Sequence, residues 1–284
     1  MGLLMNNNES LLFALVTYRE NYMKSKSYLS LLASFNNSLL KDLSIIVIDN
    51  TDSRGWHLEY DNLPPHVHVT YRHLPENPGI SVAYNLINEY ALKHDFKWVV
   101  YLDQDTLLPL NFVKSYLDRA SQRTIPVKIP KIWVQGRLAS PCKSVFYRSF
   151  GLRKLSEPLI STRYISCINS GIMIKTDFFE SVGRYNESLK LDFCDHDFIE
   201  RVKSVLDHIE ILDVDLEQNF SFQNNTKEQA VSRYSIFLKD LSNYRETRDK
   251  LLLLLFVDLP HLIKLMLKYR TFVFLKIRYG SIYL

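Results

Sequence analysis

The chain of 284 residues is poor in glycine, with 8, and holds only 3 cysteines. Globular chains average roughly 7% glycine, so this one has about half the usual share. That excludes a collagen-like repeat and a Gly-rich linker. No GxGxxG and no GxxxxGK[ST] occurs, which removes the dinucleotide fingerprint and the phosphate loop of nucleoside triphosphatases. Cys142, Cys167 and Cys194 are widely spaced, odd in number and form no CxxC. They argue against a disulfide framework and a zinc site, and they fit a reducing compartment. The net charge of +4, from 35 basic and 31 acidic residues, is too small to point to nucleic acid. No apolar run reaches the ~20 residues of a membrane span. Residues 1–10 lack the basic and apolar regions of a signal peptide. A cytoplasmic protein is expected.

What remains is ordinary globular material, 46% hydrophobic and 23% charged. A chain of this length buries a sizeable core without metal or disulfide staples. Phe13–Thr17, Leu43–Ile48, Val67–Tyr71 and Lys97–Leu102 read as strands. Helical spacing over residues 20–40 and 79–93 separates them. Alternation of this kind predicts an α/β fold, a mostly parallel Rossmann-like sheet flanked by helices. Further strands are expected at 127–134, 168–175 and 209–216, a helix at 195–207, and a long helix at 226–257. The expected organisation is one domain over 1–225 and a C-terminal helical extension over 226–284.

In such sheets ligands sit at the carboxyl ends of the strands. Polar residues gather there, in Thr17-Tyr18-Arg19-Glu20, Asp49-Asn50-Thr51-Asp52-Ser53 and Asp103-Gln104-Asp105-Thr106. Two carboxylates one residue apart repel each other without a cation. A hard divalent ion such as Mg2+ or Mn2+ takes such oxygens and shares phosphate oxygens. The alternative is that Asp105 caps the next helix. Asp49 and Asn50 suit the edge of a base or sugar, or a plain Asx turn. Asn77-Pro78-Gly79 launches a helix whose N-terminus favours an anion. Asp192, Asp195, His196 and Asp197 crowd a helix start. There they are either macrodipole partners or the base that takes a hydroxyl proton.

Taken in order, Phe13-Ala14-Leu15-Val16-Thr17-Tyr18, Val47-Ile48-Asp49-Asn50, Asn77-x-Gly79-x-x-x-Ala83-x-Asn85, Leu102-Asp103-Gln104-Asp105, Ser170-Gly171 and Leu191-Asp192-x-x-Asp195 resemble the family-2 glycosyltransferases. The nearest branch is similar to the bacterial rhamnosyltransferase-like enzymes. The resemblance covers roughly residues 10–250. It implies a GT-A fold and inverting transfer of one sugar from a nucleoside-diphosphate donor to a glycan or lipid-linked acceptor hydroxyl. Capsule, lipopolysaccharide or another bacterial surface polysaccharide would be the product. By this resemblance Thr17, Glu20, Asp49, Asn50, Gly79, Asn85 and Asp103 line the donor site. Asp105, with Asp103, would hold Mg2+ or Mn2+. Asp195 would be the catalytic base, Asp197 would orient the acceptor, and Arg248 would contact the diphosphate with its guanidinium fork.

Some positions depart from the branch. Gln218 stands near a usual His, Asp249 replaces an Asn, and Ile80 and Val82 replace glycines. The QxxRW of processive synthases is absent, so transfer of a single sugar is expected. Two rivals remain open: a degenerate member that binds a sugar nucleotide without turnover, and a nucleotidyltransferase. The tail carries Lys264, Lys268, Arg270, Lys276 and Arg278 among apolar and aromatic residues (Tyr269, Phe272, Tyr279, Tyr283), with no acid after Asp258. That composition suits peripheral contact with the inner face of the cytoplasmic membrane. A helix packed on the domain, or a homodimer contact, is the alternative.

Overall fold

The computed structural model describes residues 10–52, 63–122, 125–152, 155, 158–218 and 226–280. Ser53, Tyr283 and the N-terminal residues 1–9 read above lie outside them. The first half alternates as expected: β1 (Leu11–Thr17), α1 (Lys26–Asn36), β2 (Leu43–Asp49), β3 (Val67–His73), α2 (Ile80–Lys93), β4 (Trp98–Asp103), β5 (Thr106–Leu107) and α3 (Phe112–Ala120). The second half adds β6 (Val127–Val134), β7 (Arg137–Ser140), β8 (Cys142–Val145), β9 (Arg148–Gly151), β10 (Leu159–Ser161), β11 (Ile165–Ser166), β12 (Met173–Lys175), α4 (Thr176–Ser181), α5 (Cys194–Lys203) and β13 (His208–Gln218). The chain continues through α6 (Lys227–Tyr244), α7 (Lys250–Leu253), α8 (Leu259–Tyr269) and α9 (Val273–Gly280).

The main sheet runs β10-β13-β6-β12-β4-β1-β2-β3, with β5 beside β13 and β7 beside β6. The four strands β4, β1, β2 and β3 are parallel. Every residue of β1 is buried, because helices cover both faces and strand alternation has no solvent side to serve. The winding reverses between β1 and β4, so a crevice opens at their carboxyl ends. Register brings those ends level: Thr17 pairs with Asp49, and Val16 with Asp103. On the far side, Gln218 at the end of β13 pairs with Thr106.

Several expected elements are shorter than the pattern predicts. The helix read over 20–40 forms only at Lys26–Asn36, and the one read over 195–207 ends at Lys203. Of 168–175, only Met173–Lys175 forms a strand. Gly171 adopts φ +79° in a turn, and a Cβ there would meet the Leu216 side chain at 2.6 Å. The expected helix 226–257 stops at Tyr244. Asp249 then starts a new one, its carboxylate accepting from the amides of Leu251 and Leu252 at 2.9 Å. A π turn at Leu254–Asp258 follows. It carries the buried Asp258, which pairs with Arg278 at 2.6 Å. The small antiparallel sheet β11-β8-β9 has no counterpart in the expectations. Tyr234, Leu241, Leu253, Leu262 and Phe274 join the core cluster that also holds Ala14 and Tyr101 of the main sheet. The C-terminal helices thus share a core with the strands.

Candidate active site

A cleft of about 1370 Å3 opens over the carboxyl ends of β1 and β4. Its first wall is made of strand ends. Thr17, Glu20, Asn50, Asp103 and Asp105 all line it. Thr17 Oγ1 and Asn50 Oδ1 are buried there without a hydrogen-bond partner among the described residues. Polar atoms left so are costly, and a bound ligand would satisfy them.

The loop after β4 is locked from three directions. Ser27 at the start of α1 donates to the Asp103 carbonyl and, at 2.9 Å, to that of Thr106. Ser170 accepts the Asp103 amide at 3.1 Å, which explains why Ser170-Gly171 stands beside this loop. Gln104 accepts the Tyr18 amide at 2.7 Å, tying the loop to the end of β1. Within it the Gln218 side-chain amide donates at 3.0 Å to both Asp103 Oδ2 and Asp105 Oδ1. Tyr84 donates to the other Asp103 oxygen at 3.3 Å. Burial, and next the charge of Asp105, push Asp103 up to about 6. Burial raises Asp105 as well. Glu20 is raised by burial and then by the Asp105 charge.

Among the described residues no cluster of three His, Cys, Asp or Glu is placed to hold a metal. The oxygen donors at this point do suit Mg2+ or Mn2+. Two carboxylates converge on one amide nitrogen, and Gln218 Oε1 is buried without a partner among the described residues. Turning that amide over would present three hard oxygens to a cation.

The second wall comes from the loop before α5 and from α6. Asp195 lines the cleft at the first turn of α5. Its Oδ1 accepts the His196 amide at 2.8 Å. Phe193, just before the helix, takes φ +64°, a strained setting for a bulky residue. Stacking on Tyr244, with ring centroids 4.7 Å apart, holds it. Asp240 of α6 accepts the backbone amides of Lys190, Leu191 and Asp192 at 2.9, 2.8 and 2.8 Å. Arg233 of α6 grips Asp192 through both terminal nitrogens. Lys26 and Lys190 supply positive charge to the cleft, while Arg233 is balanced there by Asp192.

Other expected site residues are occupied elsewhere. Asp49 forms the Asx turn, accepting from the Thr51 amide at 3.0 Å and from Tyr71 at 2.6 Å. Asn85 braces Tyr185 and Glu187 away from the cleft lining. Gly79 lines the cleft at φ +106°, but the Lys190 carbonyl already accepts the Ile80 amide at 2.8 Å. The start of α2 is therefore covered by chain rather than open to an anion. Asp197 is buried between Arg201 at 2.9 Å and Arg248 at 2.8 Å. Arg248 also meets Glu200 at 2.6 Å and stacks 3.9 Å above the Tyr244 ring. In this arrangement Asp197 and Arg248 anchor α5 to the turn after α6. Sequence reasoning missed Asp240 and Arg233. The signal for Asp240 was a carboxylate inside the apolar stripe Ala230, Tyr234, Phe237, Leu241 and Tyr244.

The model of the family described as Glycosyl transferase family 2 matches residues 14–181. No curated protein sequence matches the chain significantly. Among solved structures, GalNAc-T7 with UDP, GalNAc and Mn2+ is similar at 12% identity and a TM-score of 0.58, over 82% of this chain and 48% of that one. S. aureus TarS 1-349 in complex with UDP is similar at 14% identity and a TM-score of 0.55, over 82% of this chain and 66% of that one. Its complex with UDP-GlcNAc gives 13% identity and a TM-score of 0.54, over 82% and 67%. The chain thus spans about half the length of GalNAc-T7 and about two thirds of TarS 1-349.

Proposed function

The chain belongs to glycosyl transferase family 2 over residues 14–181, and from that membership we propose that it moves one sugar from a nucleoside-diphosphate donor to an acceptor hydroxyl, with inversion at the sugar carbon. One observation carries this reading. Asp103 and Asp105 share a single cleft with Asp195, beside the unpartnered Thr17 Oγ1 and Asn50 Oδ1. The strand-end wall receives the nucleotide. Thr17 and Asn50 offer hydrogen bonds to base and ribose, and Glu20 closes that side. Asp103 and Asp105, with the Gln218 carbonyl turned toward them, would hold a Mg2+ or Mn2+ ion, which supplies charge neutralisation for the leaving diphosphate. Lys26 and Lys190 add positive charge from the chain itself.

Asp195 takes the proton of the acceptor hydroxyl. As that oxygen bonds to C1, the C1–oxygen bond to the diphosphate breaks. The electron pair leaves with the nucleoside diphosphate. Attack from the face opposite the leaving group inverts C1. Asp197, Arg248 and Asp49 act through position: the first two fix α5 and the last shapes the turn that presents Asn50.

The donor is a UDP-hexose or, in the rhamnosyltransferase-like reading, dTDP-rhamnose. UDP appears with both neighbouring folds. The acceptor is a glycan or a lipid-linked saccharide of a bacterial surface polysaccharide. The free, buried Cys142, Cys167 and Cys194 suit work in the cytoplasm. A panel of UDP- and dTDP-sugars, with nucleoside diphosphate release as readout and proton NMR of the product's anomeric coupling, tests the reading. Turnover of one donor with an inverted anomer is expected. Retention at C1, or release of inorganic pyrophosphate instead, would refute it.

A further inference from the structure

The segment from α7 to α8 shows an unusual surface. Leu251, Leu255, Leu259, Ile263 and Leu267 follow one another at every fourth residue, and each is exposed. Leu267 leaves 73% of its surface in solvent and Leu251 62%. A step of four overshoots an α-helical turn by about 40°. The wider π turn at Leu254–Asp258 offsets part of that drift. The five side chains therefore form one row, about 24 Å long at 1.5 Å per residue. Their helix-mates Leu253 and Leu262 face the core, so the row is surplus to folding.

From Lys250 onward the exposed charges along the row have one sign; the Asp249 carboxylate, spent on capping the Leu251 and Leu252 amides, is the last acid before them. Between residues 250 and 280 the exposed charged side chains are Lys250, Lys264, Lys268, Arg270 and Lys276. The sole carboxylate of that stretch, Asp258, is buried against Arg278 and Arg245. A second copy of the chain set face to face on this row would bring the same lysines together, at an electrostatic cost. A surface that is apolar below and anionic at its face satisfies both features.

The row is joined to the cleft by the β8–β9 hairpin. Phe146 at its tip stacks on Phe256 of the π turn, with centroids 5.0 Å apart. Phe146 and Phe150 are themselves about half exposed. Ser149, next to Phe150 on β9, lines the cleft with Cys142 at the start of β8. Beyond them Ser166 of β11 meets His196 at 2.5 Å, beside Asp195. One small sheet thus runs from the candidate base to the apolar row.

We propose that the α7–α8 row and the tip of the β8–β9 hairpin form a docking face for an anionic lipid bilayer. The cleft then opens at the membrane surface, and its acceptor is a hydroxyl carried on a lipid. The acceptor half rests on the proposed function; the docking half stands without it.

The test is flotation of the full chain with vesicles of phosphatidylcholine alone and with 30% phosphatidylglycerol. Wild type should float with the anionic vesicles and far less with the neutral ones. An Ile263→Glu, Leu267→Glu double variant should lose at least ten-fold in the floated fraction, and Phe150→Glu should lose part of it. All three positions are exposed, so unchanged circular dichroism and melting are expected. Nucleotide-induced melting shifts should also be unchanged, which separates failure at this face from failure of the donor site. Wild type that does not float, a double variant that floats equally, or a dimer by light scattering that the double variant dissolves would overturn the docking face.

Discussion

The two walls of the cleft are built in opposite ways. The strand-end wall is placed by sheet register, and three of its polar atoms are left incomplete: Thr17 Oγ1, Asn50 Oδ1 and Gln218 Oε1 have no partner among the described residues. One amide serves both Asp103 and Asp105. The helical wall is braced by its own groups, although the Tyr234 hydroxyl of α6 is buried without a partner among the described residues. Asp240 takes three backbone amides, Arg233 holds Asp192, and Arg248 is shared by Asp197 and Glu200. The first wall is arranged to be finished by a ligand. The second is arranged to keep one carboxylate, Asp195, where the sheet cannot reach. Removing groups from the first should alter binding, and from the second should alter geometry or stability.

The largest expected effect is on Asp195. Asp195→Asn should cut transfer by about 10²–10⁴-fold, or about 2.7–5.5 kcal/mol of barrier. Donor binding should persist, measured by calorimetry beside turnover. Equal loss of both would put Asp195 in the donor wall. Next comes Asp240→Ala, which strands three amides of the 190–192 loop. A cost of about 2–4 kcal/mol follows, seen as a lower denaturant midpoint. Asp240→Asn, which keeps an acceptor, should recover part of it.

Asp103 offers the sharpest contrast. Its carboxyl is raised from an ordinary 3.8 to about 6. The native state therefore holds more protons than the unfolded chain between those values. Stability falls as pH rises through that window and stays lower above it. Asp103→Asn should stabilise the free protein at pH 7 by roughly 2 kcal/mol, less than the full linkage value because the residue is not wholly shielded from solvent. The same variant should lose metal-dependent nucleotide binding. In wild type that binding should weaken below pH about 6, approaching ten-fold per unit, as Asp103 takes its proton. A variant less stable than wild type at pH 7 would reverse this view of the wall.

The smallest effect separates two roles for Arg248. As an anchor of α5, Arg248→Met should cost about 1–3 kcal/mol of stability and lower kcat with little change in donor KM. A selective rise in donor KM would return it to the diphosphate.

Much of the strand-end wall was legible in the sequence, because its cause is local. Apolar runs such as Leu43–Ile48 end in Asp or Asn, and parallel strands must bring such ends together. The parallel α/β sheet and the strand-end place of Asp105 follow from that; the GT-A fold was implied by the family resemblance of the motifs. The role of Asp49 was not legible, since one residue type serves an Asx turn and a base contact equally well. The helical wall was hidden for another reason. Asp240 acts on amides 48 to 50 residues earlier in the chain. Periodicity shows only which face of α6 is apolar, not what a carboxylate on that face will meet. The short strands β7, β8 and β9 escaped because four-residue runs with mixed polarity carry little period. The break at Asp249 was written in a capping residue, outweighed by the leucines after it.

The central claim is that the strand-end wall is completed by a nucleoside diphosphate together with a divalent ion. Thermal unfolding with UDP and with dTDP, each with and without Mn2+, on wild type and Asp105→Ala, tests it most directly. A ligand at a hundred times its Kd should stabilise by about 2.7 kcal/mol. The account predicts a rise in Tm for one nucleotide that needs Mn2+ and vanishes in Asp105→Ala. An Mn2+-independent shift that the variant keeps, or no shift with either nucleotide, would contradict it.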